Sequence, residues 1–409
     1  MSWAGQAREP DLAGLSRVRG EVRELAPELI ALRRHFHRYP ERGFEEVRTA
    51  ARIVEELRAC GGYAIRTEVA KTGIVADLTG EAGSGPTVML RADMDALRVQ
   101  EENPHLEYAS THPGVMHACG HDGHMAMLLG VAKILARHRD RIRGRVRLIF
   151  QPAEESPGGA EPMIAEGALQ DPRPDVAFGL HLWSKLPTGY AATRPGPMMA
   201  YTEELYLRVH GKGGHGAYPH EGVDAIVAAA QLVVALQSIV SRNVDPIQSA
   251  VLTIGKIAGG SVMNALAESV TLDGTQRTFL PEIRELCMRR VAEVAAGIDT
   301  ALGTSTEVEY VPRYPALVND PEKTEFAAGV VEALLGEGHV QRDFLSMGGE
   351  DMGFYLREVP GCFLFLGAGN PEKQADAPHH NPHFNFDEDA LQLGVEILLR
   401  LTERFVGGS

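Results

Sequence analysis

The run Met116-His117-Ala118-Cys119-Gly120-His121-Asp122-Gly123-His124-Met125 constrains this chain more than any other feature. Ligand-type side chains (His117, Cys119, His121, Asp122, His124) crowd a short stretch, and an apolar helical run, residues 125–135, follows at once. A packed core does not tolerate so many polar groups unless something pairs with them. Cys119 and His121 are two positions apart, so they cannot share a helix face and must lie on a loop. Gly120 gives that loop freedom, and Asp122 can cap the helix behind it. A cysteine at a helix N-terminus beside a cation is readily a thiolate. The expectation is a metal held by Cys119 and His121 at the mouth of a buried helix, with other ligands supplied from elsewhere.

The remaining pattern is α/β. Helical periodicity runs over residues 12–38 and 45–60, closed by Tyr39-Pro40 and Gly61-Gly62. Strand-like runs at 73–78, 87–90, 145–150 and 175–180 alternate with helices, which predicts a mixed, mainly parallel sheet flanked by helices. Between residues 199 and 312 the order becomes β-α-β-β-α-β, an inserted ferredoxin-like α+β domain of roughly 110 residues. The first domain then comprises residues 1–198 and 313–409, which suits 409 residues better than one core does. Asp387 can cap the last helix.

A net charge of −15 argues against nucleic-acid partners and against an anionic membrane surface. No apolar run reaches the ~20 residues of a bilayer span. The first eight residues lack a basic-then-apolar leader pattern. The four cysteines (Cys60, Cys119, Cys287, Cys362) show no disulfide-scaffold spacing, so a reducing cytoplasm is expected.

Other candidate ligands share one position in this architecture. Asp93 and Asp95 follow the strand at 87, Glu154 and Glu155 the strand at 145, and His380 the strand at 362, while His181 ends the strand at 175. Sites in open α/β sheets form outside the carboxyl ends of the strands. Cys119, His121, Glu155, His181 and His380 exceed the set that one catalytic zinc takes. They would serve two divalent ions about 3.5–4 Å apart. Sulfur, imidazole and carboxylate together suit zinc, or manganese, cobalt or nickel. In the Glu154-Glu155 pair one carboxylate can bind metal while the other moves a proton. Asp93 or Asp95 would orient ligands.

Each residue alone has a blander reading. Cys119 would be a small buried hydrophobe, His181 a core histidine, His380 a surface residue and Glu154-Glu155 a solvated pair. Convergence at strand ends weighs against all of these at once. His117, His124, His220, His379 and His383 are assigned roles beside the ligands or at the surface, and His35 and His37 solvated or capping roles.

Arg91-Ala92-Asp93-Met94-Asp95-Ala96-Leu97, Met116 to His124, Gln151 to Glu155, Gly179-Leu180-His181, Gly213-Gly214-His215-Gly216-Ala217, Gly348-Gly349-Glu350-Asp351 and His380-Asn381-Pro382 carry a family resemblance. Together they resemble the dimetal amidohydrolase branch of the aminoacylase/carboxypeptidase G family of zinc exopeptidases. That branch includes hippurate hydrolase, N-acyl-amino-acid amidohydrolases and plant auxin-conjugate hydrolases. The resemblance implies a catalytic domain with an inserted lid that dimerises, hence a homo-oligomer. It implies two metals on Cys119, His121, Glu155, His181 and His380, and Glu154 as base with Asp95 beside it. It implies that His215 steadies an oxyanion, frequently from the partner subunit, and that Asn264 and Arg277 bind the substrate carboxylate. The expected substrate is a small N-acyl-L-amino acid, with no nucleic-acid or membrane partner. The family commonly has Asn-x-Ile-Pro where this chain has Asn264-Ala265-Leu266-Ala267, which removes a rigid residue from that loop. A di- or tripeptide exopeptidase and a non-catalytic metal carrier are the alternatives, and a spare carboxylate at Glu154 argues against the carrier.

Overall fold

The computed structural model describes residues 8–407. Residues 1–7, most of the stretch read above for a leader pattern, lie outside the described residues. The chain divides into two compact units, Met1–Gly196 with Val318–Phe344 and Asp351–Ser409, and Pro197–Leu317 with Leu345–Glu350.

The first unit is built on an eight-stranded sheet. Its strands β1 (Tyr63–Val69), β2 (Gly73–Thr79), β3 (Thr87–Asp93), β4 (Arg145–Gln151) and β5 (Val176–Pro187) stand in the order β1-β2-β4-β3-β5. Gly361–Gly369, Ala191–Ala192 and Val340–Gln341 complete the sheet in that order. β3 runs parallel to β4 and to β5, and Gly361–Gly369 runs parallel to β5. The β1–β2 and β2–β4 pairs are antiparallel. The sheet is therefore mixed, with a parallel centre flanked by helices, as expected.

That parallel block explains how distant residues converge. Asp93 pairs with Gln151, so the chain leaves β3 towards Asp95 and β4 towards Glu154 on the same sheet edge. Every residue of β3 is buried, as in a strand covered on both faces. Arg91 stays charged there because Asp93 and Asp351 accept from its guanidinium at 2.7 and 2.8 Å.

Helices α2 (Val47–Cys60) and α3 (His121–Arg137) pack on this sheet, and α1 (Gly20–Arg38) packs on α3 and on the helix Asp389–Val406. α3 is apolar nearly all round and lies among α1, α2, β3 and the helix Asp389–Val406. Gly120 precedes it at φ 95°, a left-handed conformation that costs glycine nothing.

The second unit carries a four-stranded antiparallel sheet in the order Ala250–Gly259, Ser269–Thr278, Tyr201–His210, Ser305–Tyr314. With the helices Ala225–Arg242 and Pro281–Leu302 this is the ferredoxin-like arrangement. Asp224 caps the first of these helices, accepting from Ile226 N and Val227 N at 2.9 and 3.1 Å.

Some expectations need correction. The helix expected over 12–38 is a 3₁₀ segment, Leu12–Arg17, followed by α1. Strand β1 was not anticipated: it is an edge strand, mostly exposed, so it lacks an apolar signal. Asp387 stands one residue before the N-cap Glu388, yet its carboxylate accepts from Asp389 N at 3.1 Å as a cap would; it is also buried and accepts from Asn370, Lys373 and Thr188. By length and composition Ala225–Arg242 is apolar enough to cross a bilayer, although no such run was expected. Gln231, Gln237 and Ser238 interrupt the apolar run. In the structure Ala228, Leu232, Leu236 and Ile239 of this helix are buried in the core of their own unit.

Leu129, at the centre of α3, is fully buried. Leu129→Ala should lower unfolding free energy by about 2–5 kcal/mol. Denaturant titration checks this, and a loss under about 1 kcal/mol would mean that α3 is not the packed centre.

Candidate metal centre and active site

His121 opens α3 and is fully buried. Its Nδ1 donates to the carbonyl oxygen of Asp95 at 2.9 Å, and its Nε2 has no hydrogen-bond partner. His181 repeats the pattern: Nδ1 donates to the Leu182 carbonyl at 2.6 Å, and Nε2 lies 3.5 Å from Cys119 Sγ. An imidazole whose Nδ1 is held by a carbonyl presents Nε2 to a metal. Glu155 Oε1 lies 3.1 Å from His380 Nε2 and 3.9 Å from His121 Nε2, without an aligned hydrogen bond. The ligand atoms of Cys119, His121 and His181 all lie within 4.8 Å of one another. So do those of Cys119, Glu155 and His380, and those of His121, Glu154 and Glu155. Cys119 belongs to two of these groups.

The loop after β4 is held by backbone donation. Glu154 N and Glu155 N donate to the two carboxylate oxygens of Asp95 at 2.9 and 3.0 Å. Asp95 thus positions the Glu154-Glu155 turn. His380 N donates to the Ala118 carbonyl at 2.8 Å, which ties the His380 loop to the Cys119 turn.

Electrostatics favour a cation here. Burial alone would lower His121, but Asp93, Asp95 and Glu155 outweigh it and push the imidazole up to about 10. Burial and neighbouring His124 hold His181 well below its ordinary value. Burial would raise Glu155, yet His380 and His121 bring it down. Burial, then Glu155 and Glu154, push the Cys119 thiol well above its ordinary value. The expected thiolate therefore depends on a neighbouring cation: beside these carboxylates, a helix N-terminus alone does not ionise Cys119. Acidic groups packed around imidazoles and a thiol fit a borderline divalent ion, which would offset their repulsion.

The other histidines separate by their partners. His124 is committed at both nitrogens: Nδ1 contacts Asp93 Oδ1 at 2.6 Å and Nε2 accepts from Leu182 N at 2.9 Å. Both of its nitrogens are thus held within the protein, by Asp93 and by β5. His379 Nε2 donates to the Leu182 carbonyl at 3.0 Å and its ring stacks on Trp183. His117 is buried without a hydrogen bond at either nitrogen, and burial lowers it to about 3. His220 and His383 are exposed.

His37 is the main surprise, being fully buried rather than solvated. Its Nδ1 lies 2.8 Å from Asp122 Oδ2 and its Nε2 3.2 Å from Glu101 Oε1. Arg33 Nε donates to the same Asp122 oxygen at 2.9 Å, and its guanidinium lies over the Tyr108 and Phe386 rings. Asp122 therefore anchors α1 to the metal-binding turn besides accepting from Gly123 N. A signal existed: Arg33 and His37 continue the buried face of Leu25, Leu29, Leu32 and Phe36.

In the second unit His215 is exposed, and its Nδ1 accepts from Ala217 N at 3.0 Å, which leaves the proton on Nε2. Gly214–His215 pairs with Ala265–Leu266, and Gly216 N donates to the Asn264 carbonyl, so Asn264 and His215 are neighbours. Arg277 is half-buried in Ser269–Thr278, and its guanidinium makes no hydrogen bond among the described residues.

The mixed sheet, with ligand-type side chains gathered at its carboxyl edge, defines a hydrolase of the metallopeptidase type. The chain belongs to peptidase family M20/M25/M40, which matches residues 89–404. It is 42% identical to the N-acetyl-L-cysteine deacetylase of Bacillus subtilis (strain 168), covering 90% of this chain and 85% of that protein. It is 40% identical to thermostable carboxypeptidase 1 of Saccharolobus solfataricus, covering 93% and 96%. Among solved structures, the YXEP protein of Bacillus subtilis, described as a dinuclear metal-binding peptidase of the M20 family, superposes with a TM-score of 0.80. That structure is 32% identical, covering 93% of this chain and 98% of that one.

Burial would lower His37, but hydrogen bonds to Asp122 and Glu101 prevail and raise it. A raised histidine stabilises the fold fully below its unfolded value of about 6.5, and that contribution is lost as pH rises through the folded value. Melting temperature should therefore fall on the alkaline side, and the fall should be smaller in His37→Asn. Thermal melts from pH 6 to 9 measure both, and identical profiles would dismiss the His37 network as a source of stability.

Proposed function

We propose that this protein is a metal-dependent amidohydrolase that cleaves N-acyl-L-amino acids to a carboxylic acid and a free amino acid. The observation that carries this reading is the ligand-ready geometry, with Nε2 of His121 and His181 facing Cys119 and Glu155 while each Nδ1 is spent on a backbone carbonyl. Cys119, His121, Glu155, His181 and His380 would hold two divalent ions, with zinc the best match to the donor set and manganese, cobalt or nickel compatible. When bound, the ions supply electrophilic polarisation of the scissile carbonyl and acidify water.

The chain's own groups complete the chemistry. Glu154 sits on the Asp95-held turn beside Glu155. Its carboxylate takes a proton from the attacking water and returns it to the amide nitrogen as the C–N bond breaks. His215, from the same chain or a second copy, donates from Nε2 to the developing oxyanion. Arg277 and Asn264 bind the substrate carboxylate, and a guanidinium without a hydrogen bond among the described residues supports that role for Arg277. The relative named as a deacetylase of an N-acylated amino acid supports the substrate class. The relative named as a carboxypeptidase keeps a short-peptide exopeptidase as the second reading. Four unpaired cysteines support a reducing compartment.

Glu154→Gln should retain metal while hydrolysis falls by about 10²–10⁴-fold. N-acetyl, N-benzoyl and dipeptide substrates, tested on protein reconstituted with each ion, separate the two readings. Undiminished turnover in the variant would remove Glu154 as the base.

A second copy of the chain would cover the apolar outer face of the second unit. Val227 and Val234 on Ala225–Arg242, and Ile257 on the edge strand Ala250–Gly259, are exposed together there, Val234 at 72%. An unpaired edge beside an apolar helix face favours self-association. The parent should run as a multiple of the chain mass in light scattering, and Val234→Asp as one chain. A parent that is itself monomeric would refute this surface.

A further inference from the structure

Resting on that reading of Glu154 as base, we infer that Glu46 is a positioning residue, acting with Gly43 from the Glu41–Glu46 segment to hold the turn that aims Glu154. Glu46 is fully buried at the N-cap position of α2, where its carbonyl accepts from Ala50 N at 2.9 Å but its carboxylate makes no capping hydrogen bond to the helix. Its Oε1 accepts from Ala153 N at 2.9 Å, and its Oε2 from Thr72 Oγ1 at 2.6 Å. Ala153, immediately before Glu154, lies at φ 54°, a left-handed conformation in which a residue with a Cβ is strained. The surroundings must hold it there. Asp95 already accepts from Glu154 N and Glu155 N. Glu46 extends that row of accepted N–H groups by one residue, at the strained position itself.

The segment around Glu46 is shaped for this contact. A Cβ on Gly43 would lie 2.7 Å from the Ser156 carbonyl oxygen and 2.9 Å from Ala153 Cβ, so only glycine permits the approach. Phe44, next in the chain, is itself left-handed at φ 61°. Ala96 N donates to the Glu41 carbonyl at 2.8 Å, which fixes the same segment to the loop bearing Asp95. The segment thus braces both the Asp95 loop and the Glu154 turn. Burial pushes the Glu46 carboxyl up to about 7, but Oε1 accepts from Ala153 N in either protonation state. A glutamine can therefore replace it.

The test compares Glu46→Ala, Glu46→Gln and Gly43→Ala with the parent by site-resolved amide hydrogen exchange, metal content and steady-state kinetics. Glu46→Ala and Gly43→Ala should each speed exchange at residues 153–155 by about tenfold or more, leaving α3 and the central strands unchanged. Both should lower kcat by about 10–100-fold with KM and metal content unaltered. Glu46→Gln should stay within about threefold of the parent in exchange and kcat. Unchanged exchange at 153–155 in Glu46→Ala, or a uniform rise along the chain, would overturn the inference. If the parent hydrolyses no acylated amino acid, the proposed activity fails while the exchange arm still decides the role of Glu46.

Discussion

Backbone amides donated to buried carboxylates are the interaction on which the site depends. The loop after β4 belongs to no helix or strand, so its buried N–H groups need acceptors. A buried carboxylate, in turn, costs several kcal/mol unless it is hydrogen-bonded. Asp95 and the amides of Glu154 and Glu155 solve both problems at once. Asp351 does the same further along, accepting from Gly159 N and Ala160 N while Gln151 and Arg91 hold it in place. An irregular loop is thereby fixed, and two adjacent glutamates are presented in set directions.

The same carboxylates set the electrostatics. A proton on His121 is favoured up to about 10 because Asp93, Asp95 and Glu155 surround it. A divalent cation at the proposed site would compete for that position with twice the charge, so proton and metal binding would be linked. The raised thiol of Cys119 belongs to this account as well. As a ligand it would ionise on arrival of the cation, since the helix terminus alone does not lower it against Glu155 and Glu154.

Much of this was legible in the sequence because parallel strands share one carboxyl edge. Asp93 ends β3, Glu154 and Glu155 follow β4, and His380 lies on the loop after Gly361–Gly369, whereas His181, expected at a strand end, lies inside β5, which continues to Pro187; β3 aligned with β4 and β5 brings these positions together. The ferredoxin-like segment was legible through its order of elements, since the Asp224 cap and the strand alternation are local signals. Local signals fail where burial comes from a distant contact. Glu46 lies in a polar run that reads as a solvated helix start, and its partner amide is 107 residues away. β1 stayed hidden because an exposed edge strand has no apolar face to reveal it. His37 differs: its helical register with Leu29 and Phe36 was visible, but a titratable residue on an apolar stripe was read as surface.

The histidine-rich run shows why motif density overstates ligand number. His117, His121 and His124 lie close in sequence and all three are buried, yet only His121 has one nitrogen on a carbonyl and the other towards neighbouring ligand atoms. His124, one turn along α3, spends both nitrogens within the protein, on Asp93 and on Leu182 N. The backbone N–H of Leu182 fixes this, because it can only donate and so takes the lone pair that a metal would need. The next carbonyl in β5, that of Leu182 itself, holds His181 in the opposite sense, with Nδ1 donating and Nε2 turned to Cys119. One residue of β5 thus withdraws one imidazole from ligation and prepares another. The partner of each imidazole's second nitrogen, which the residue letters alone do not encode, is what separates these histidines as candidate ligands.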